Sequence, residues 1–191
     1  MRGDGLLKRM IRILLLFSLA SVFGVSASLG LPAEDVQLIT NNQYVPTAQK
    51  TIREAKQSIQ VMMFEMVHYA GRSRSPSNLL IKELIAASKR GVKVEVILDV
   101  RKEEDRTAKR NRYTGKILSD GGVEVIYDPL DRTTHAKVIV ADGELTLLGS
   151  TNWTYSALSS NNEASVLIRS KDVARELGAY FNKVKSTGTK K

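Results

Sequence analysis

The sequence predicts an α/β domain built on a mixed, mostly parallel β-sheet with helices on both faces. Three observations predict it. Short apolar, β-branched runs alternate with segments of helical periodicity from residue 36 onward. Asp142-Gly143 between two apolar runs marks a β-hairpin, which makes the sheet mixed. Setting aside the first 33 of the 191 residues leaves 158, enough for one domain with its own core, and no internal repeat divides them.

The segment 1–33 differs from the rest. Arg2, Lys8, Arg9 and Arg12 form a basic start, an apolar run follows from Ile13 to Leu31, and small residues offer cleavage after Ala27 or Ala33. This is the layout of a secretory signal peptide. The run also approaches the roughly 20 residues that span a bilayer. Two expectations stand: an exported protein, periplasmic or extracellular, or one anchored in a membrane by residues 11–33.

Residues 34–191 form the domain. "VQLIT" (36–40) reads as a strand, and 46–58 as a helix opened by Pro46 with Ala48, Ile52 and Ala55 on one face. "IQVMMFEM" (59–66) is a strand, whose Met62, Met63 and Met66 read as core. The loop "HYAGRSRSPS" leads to a helix over 77–90 stopped by Gly91. "VKVEVILDV" (92–100) is a strand, 105–119 a charged helix, and "VEVIY" (123–127) a strand. After the hairpin come the strand "EASVLI" (163–168) and a last helix capped by Ser170, with a frayed tail over 186–191.

The net charge is +9; without four basic residues and one aspartate of the first segment, 25 basic and 19 acidic side chains remain, net +6. Such an excess suits a polyanionic partner, nucleic acid or an anionic membrane. The absence of cysteine excludes disulfides and thiolate metal sites. No glycine-rich phosphate loop of the GxxxxGK or GxGxxG kind is present.

The hairpin carries the chemistry. With Asp142 and Gly143 alone at the turn, facing residues sum to 285, so Lys137 faces Leu148 and His135 faces Ser150. Residues two apart share a face. His135, Lys137, Ser150 and Asn152 then cluster at one end of the hairpin, and Gly149 lets a ligand approach the backbone. Lysine, serine and asparagine donors hold phosphate oxygens, and an imidazole attacks phosphorus or shuttles a proton. Asp142 lies seven residues from His135, roughly 23 Å along a strand, so its expected role is in the turn.

These residues resemble the phospholipase D superfamily signature, His-x-Lys-x4-Asp followed after six residues by Gly-Ser-x-Asn. It stands here as His135-Ala-Lys137, Asp142, then Gly149-Ser150-Thr-Asn152. The resemblance extends over roughly 35–185 and includes an acidic residue on the next strand, Glu163. Most members carry two copies; this chain carries one, like the short subgroup of small exported bacterial endonucleases and mitochondrial-anchored relatives, which act as homodimers. The resemblance implies a phospholipase D-like fold and a homodimer that cleaves DNA, with RNA as a further substrate, using no metal and no cofactor. It implies catalytic roles for His135, Lys137, Asn152 and Glu163, and substrate binding by Lys137, Gly149, Ser150 and Asn152. His135 would form a phosphohistidine, the second subunit's copy would act as acid and base, and Glu163 would hydrogen-bond the imidazole. Two alternatives remain: a phospholipid phosphodiesterase or phosphatidyl-transferase, and a nucleic-acid-binding module without activity.

Other residues invite a bland and a sharp reading. His68 reads as a loop histidine or a substrate contact. The run "RKEEDRTAKRNR" (101–112), Arg72 and Arg74 read as solvated surface or as a basic rim tracking a strand. Trp153 and Tyr155 read as packing or as stacking platforms for bases.

Overall fold

The computed structural model describes residues 30–101 and 105–190; the signal or anchor expected at the N-terminus lies outside them. Eight strands form one sheet. β1 is Asp35–Thr40, β2 Ser58–Met63, β3 Lys93–Leu98, β4 Glu124–Tyr127, β5 Lys137–Ala141, β6 Leu145–Gly149, β7 Ala164–Arg169 and β8 Thr189–Lys190. The order across the sheet is β1-β7-β6-β5-β2-β3-β4-β8. The sheet is mixed, as expected, but its parallel part is confined to β2-β3-β4. The other five pairings are antiparallel, because hairpins and the returning edge strands outnumber the two helical crossovers.

The helices are α1 (Tyr44–Glu54), α2 (Pro76–Lys89), α3 (Arg106–Asp120), α4 (Tyr155–Ser159) and α5 (Lys171–Thr187). Each of the last four starts on a side-chain cap: Ser75, Asp105, Thr154 and Ser170 accept from the backbone amide three residues on. α1 begins two residues earlier than Pro46 suggests, because Thr40 and Gln43 cap the preceding turn reciprocally. One apolar cluster packs α1, α2 and α3 on one face of the sheet, around Ile52, Leu80, Leu84, Val61, Val96, Ile139 and the fully buried Trp153. On the other face, α5 lays Phe181 and Ala174 over Met62, Ile97, Val138 and Val140. Helices thus cover both faces. Past α5, no described element covers the second face: Val36 and Leu38 of β1 are 59 % and 67 % exposed. The C-terminal tail is not wholly frayed; Thr189 and Lys190 pair with Tyr127 and Ile126.

The hairpin register differs from expectation by one residue. Asp142 and Gly143 have φ of +53° and +62°, the left-handed pair of a tight turn, and Glu144 N–H donates to Ala141 O at 3.0 Å. Glu144 is nevertheless bulged, because its carbonyl accepts from Ser170 N at 2.9 Å. Ala141 therefore pairs with Leu145, and Val138 with Leu148. The slip puts Val138 and Leu148 against α5, and Ile139 and Leu147 against the opposite helices.

At the other end of the sheet, β2 continues beyond Met63 without a ladder partner on the β3 side. The buried Asn111 of α3 fills that gap. Its Nδ2 donates to Phe64 O and Asp99 O, both at 2.7 Å, and its Oδ1 accepts from Met66 N at 2.9 Å. Met66 and Trp153 then form a parallel bridge, which carries the chain after β6 back beside β2.

Candidate active site

The site is made by strand ends that meet at one edge of the sheet: the ends of β2, β3, β4 and β6 and the starts of β5 and β7. His135 precedes β5 and is exposed; Lys137 is its first residue and only 7 % exposed. The Lys137 Nζ lies 3.1 Å from His135 Nδ1 and donates to His135 O at 2.7 Å. Both groups sit on Phe64, with the imidazole centroid 4.4 Å and the ammonium 4.9 Å from the ring. Burial lowers the imidazole pKa below its ordinary value, and the charges of Lys137 and Arg101 push the same way. Burial lowers the ammonium pKa too, partly offset by the negative charges of Glu163 and Asp99.

The second half of the cluster lies across β6 and β7. Ser150 Oγ donates to the Glu163 carboxylate and accepts from Ala164 N at 3.2 Å. Glu163 also accepts from Asn161 Nδ2 at 3.1 Å. Within the chain, then, the carboxylate bonds Ser150 and Asn161, and the cation Lys137 rather than Glu163 faces the imidazole Nδ1. Asn152 is half-buried, and among the described residues its carboxamide oxygen has no hydrogen-bond partner. Gly149 has a packing reason beside any ligand role: a Cβ there would overlap the Ser165 side chain and the Ala164 carbonyl. Gly149→Ala is expected to lose about 2 kcal/mol of stability, seen as a lower Tm, because β6 and β7 must part.

Residues that the sequence did not single out support this cluster from below. Asp99 and Asp128, 0 % and 1 % exposed, follow β3 and β4. Both accept from Thr134 N, at 2.8 and 2.9 Å, and Asp128 also accepts from Val100 N at 2.7 Å. Burial pushes the Asp99 carboxyl up to about 6, and the adjacent Asp128 adds to the rise. This acid pair fixes the residue just before His135. The signal was present, since two apolar strands, "VILD" and "VIYD", both stop on aspartate. Phe64 gave no such signal because it closes an apolar run.

Asp142 stands at the opposite end of β5, as expected, but it does more than shape the turn. Its carboxylate accepts from the backbone amides of Lys56, Gln57 and Ser58 at 2.8, 2.8 and 3.0 Å. His68 is half-buried beside Tyr113, its Nδ1 without a hydrogen-bond partner among the described residues and its pKa lowered by burial and by Lys82. Trp153 is wholly packed, its indole N–H donating to Tyr44 OH at 3.1 Å, so it cannot stack on a ligand.

A family model described as "Cardiolipin synthase, PLD-like domain" matches residues 49–185. The chain belongs to the phospholipase D superfamily. Among solved structures, the phospholipase D family member Nuc from Salmonella typhimurium superposes with a TM-score of 0.70 at 24 % identity, covering 82 % of this chain and 97 % of Nuc. Mitochondrial cardiolipin hydrolase of Xenopus laevis is 38 % identical over 89 residues, 47 % of this chain and 39 % of that protein. Cardiolipin synthase B of Escherichia coli K12 is 29 % identical over 136 residues, 65 % of this chain and 31 % of that protein. The phospholipase D-like chain thus spans about a third of the length of these curated relatives, whereas its fold accounts for almost all of Nuc.

Proposed function

We propose that the protein is a metal-independent endonuclease that hydrolyses DNA, and RNA as a second substrate, at a site shared by two protomers. The observation that carries this reading is the His135–Lys137 pair seated on Phe64, with one such pair per chain. The His135 imidazole attacks phosphorus, and the bond to the leaving oxygen breaks. His135 of the partner subunit gives that oxygen its proton. The same partner imidazole then takes a proton from water, whose oxygen attacks phosphorus and breaks the P–N bond. Lys137 and Asn152 stabilise the charge that gathers on the phosphoryl oxygens, and Ser150 holds the phosphate. Glu163 fixes Ser150 and keeps negative charge near Lys137, which favours the ammonium form.

The apolar row exposed beside α5 among the described residues supports the dimer. Val36 and Leu38 of β1 continue the row formed by Val166 and Ile168 of β7, an apolar surface for a second copy. The protein is expected to be exported, or anchored by residues 11–33. The rival reading is chemistry at a phospholipid headgroup, favoured by the names of the cardiolipin relatives. A small domain whose fold covers 97 % of Nuc is compatible with the first reading, and the substrate test separates the two.

The test is the purified protein with plasmid, single-stranded DNA, RNA and cardiolipin vesicles, each with and without EDTA. Nucleic-acid cleavage is expected to persist in EDTA. Loss on chelation with recovery on adding Mg²⁺ would contradict the mechanism, and cleavage of cardiolipin alone would establish the rival.

A further inference from the structure

Beside the motif lies a cleft of about 430 Å³, lined by Gly71, Arg72, Ser73, Arg74, Ser75 and Tyr155. Its position is fixed by the active-site segment itself. Tyr155 follows Asn152 by three residues, and its amide donates to Tyr69 OH at 2.9 Å. Ser77 Oγ, at the start of α2, donates to Trp153 O at 2.9 Å and to Val67 O at 2.6 Å. The two walls of the cleft are thus tied together within a few residues of the proposed phosphate contacts.

The loop is rigid in its backbone and free in its side chains. The buried Asn78 accepts from Tyr69 N and donates to Tyr69 O and Arg72 O, each at 2.9 Å. Ser75 N donates to Arg72 O at 2.9 Å, and Gly71 takes a φ of +73° to close the turn. Arg72 and Arg74 are exposed, and among the described residues neither guanidinium has an ion-pair partner. Lys82 adds a third cation, its Nζ 3.4 Å from Ser73 O. No lining residue is acidic. Tyr155, at 49 % exposure, is the one ring at the cleft. Holding a backbone this firmly around unpaired arginines presents them to a ligand at a low entropic cost.

We propose that this cleft is a subsite for single-stranded nucleic acid next to the scissile phosphate, with Arg72 and Arg74 on backbone phosphates and Tyr155 stacked on an unpaired base. The proposal rests on the endonuclease reading above and narrows its substrate to a strand with accessible base faces. Guanidinium pairs with phosphate through a planar fork, and a flat phenol accepts any base. Acyl chains find no aliphatic side chain in the lining, which sets this cleft apart from a lipid groove.

The experiment measures binding of a fluorescein-labelled twelve-nucleotide oligodeoxythymidylate, and of a duplex of equal length, to full-chain protein carrying His135→Ala to prevent turnover. Arg72→Ala/Arg74→Ala is expected to weaken single-strand binding about tenfold or more. It should also reduce the slope of log Kd against log salt by about 1.4, since a single strand contributes roughly 0.7 per neutralised phosphate. Tyr155→Ala is expected to weaken the single strand about tenfold and the duplex little, while Tyr155→Phe keeps the ring and the affinity. Melting curves matching the parent show that the fold is kept. An unchanged Kd and salt slope in the folded arginine variant would overturn the subsite, as would loss of binding to anionic lipid vesicles with the oligonucleotide unaffected. If the protein with His135 intact does not cleave and the His135→Ala parent does not bind oligonucleotides, the endonuclease reading and the subsite both fail. If the first cleaves, the second binds and the variants match it, the subsite alone fails.

Discussion

Replacing His135 by alanine is expected to abolish turnover, with kcat reduced about 10⁴-fold or more. An enzyme that loses its nucleophile retains only what binding and electrostatics contribute. Here one substitution removes nucleophile and acid together, because each protomer has a single histidine–lysine pair and the proposed site draws one imidazole from each. Acid-quenched enzyme should carry its phosphate on His135. The pH profile adds an independent reading. Burial, then Lys137 and Arg101, lower the His135 pKa, so the neutral, nucleophilic imidazole persists below the ordinary value of about 6.5. The acid limb of kcat/KM is therefore expected below that pH. Sedimentation at assay concentration should find dimers. A fully active monomer would refute the shared site and turn attention to His68.

The second large effect separates two acids that the signature alone does not rank. Glu163→Gln is expected to reduce kcat by about a hundredfold while sparing the melting temperature. It removes a negative charge that bonds Ser150 and supports the Lys137 ammonium at the reacting centre. Asp142→Asn should do the reverse. The turn alone would tolerate asparagine, which by itself predicts a mild effect. The three amides of Lys56, Gln57 and Ser58 change the expectation, since an amide group cannot accept from all of them and turns N–H toward N–H. A loss of about 2–4 kcal/mol is expected, with kcat retained in the folded fraction. Burial raises the Asp142 carboxyl pKa, but the amides of Ser58, Lys56 and Gln57 outweigh it and the net shift is downward. Its stabilisation is therefore complete above the unfolded aspartate value of about 3.9 and is lost as pH falls through the lower folded value. Thermal melts from pH 6 to pH 2 on parent and variant check this: the gap between their Tm values should close in acid. An Asp142→Asn protein that is folded, dimeric and inactive would show that this residue acts on the chemistry.

Much of the fold and of the site is legible in the sequence. Alternation of strand and helix, the cap at Ser170 and the motif spacing are local signals, and local signals survive in sequence. The hairpin register is not local. Asp142-Gly143 does make a tight turn, but Ser170, on the far side of β7, claims the carbonyl of Glu144 and forces the bulge. Nothing within residues 135–152 carries that information. The four motif residues therefore do not converge by strand register alone. Asn152 returns toward the cluster because Trp153 N donates to Glu65 O at 2.9 Å and draws the chain beside β2. The proportion of parallel pairs departs from expectation for a related reason: β1 and β8 join the sheet from the two ends of the domain, and their direction is set by partners more than 60 residues away. Spacing identifies Glu163 as an acid near the motif, but its bond to Ser150 rather than to the imidazole depends on side-chain reach, which spacing does not encode.

Asn111 bears on where a substrate can go. In open α/β sheets the usual berth is the crevice beyond the carboxyl ends of neighbouring parallel strands, where diverging loops leave room. In this domain that berth belongs to β2 and β3, and it is stoppered: one carboxamide holds the chain after both strands and the turn at Met66 together. The His135–Lys137 pair stands instead on the antiparallel flank, at the open end of the β5–β6 hairpin. Enlarging the pocket by mutating the parallel side would open the stopper and loosen the floor under Phe64 without widening the berth. Redesign of substrate scope belongs on the flank formed by β5, β6 and β7 and on the 71–75 loop of the proposed cleft.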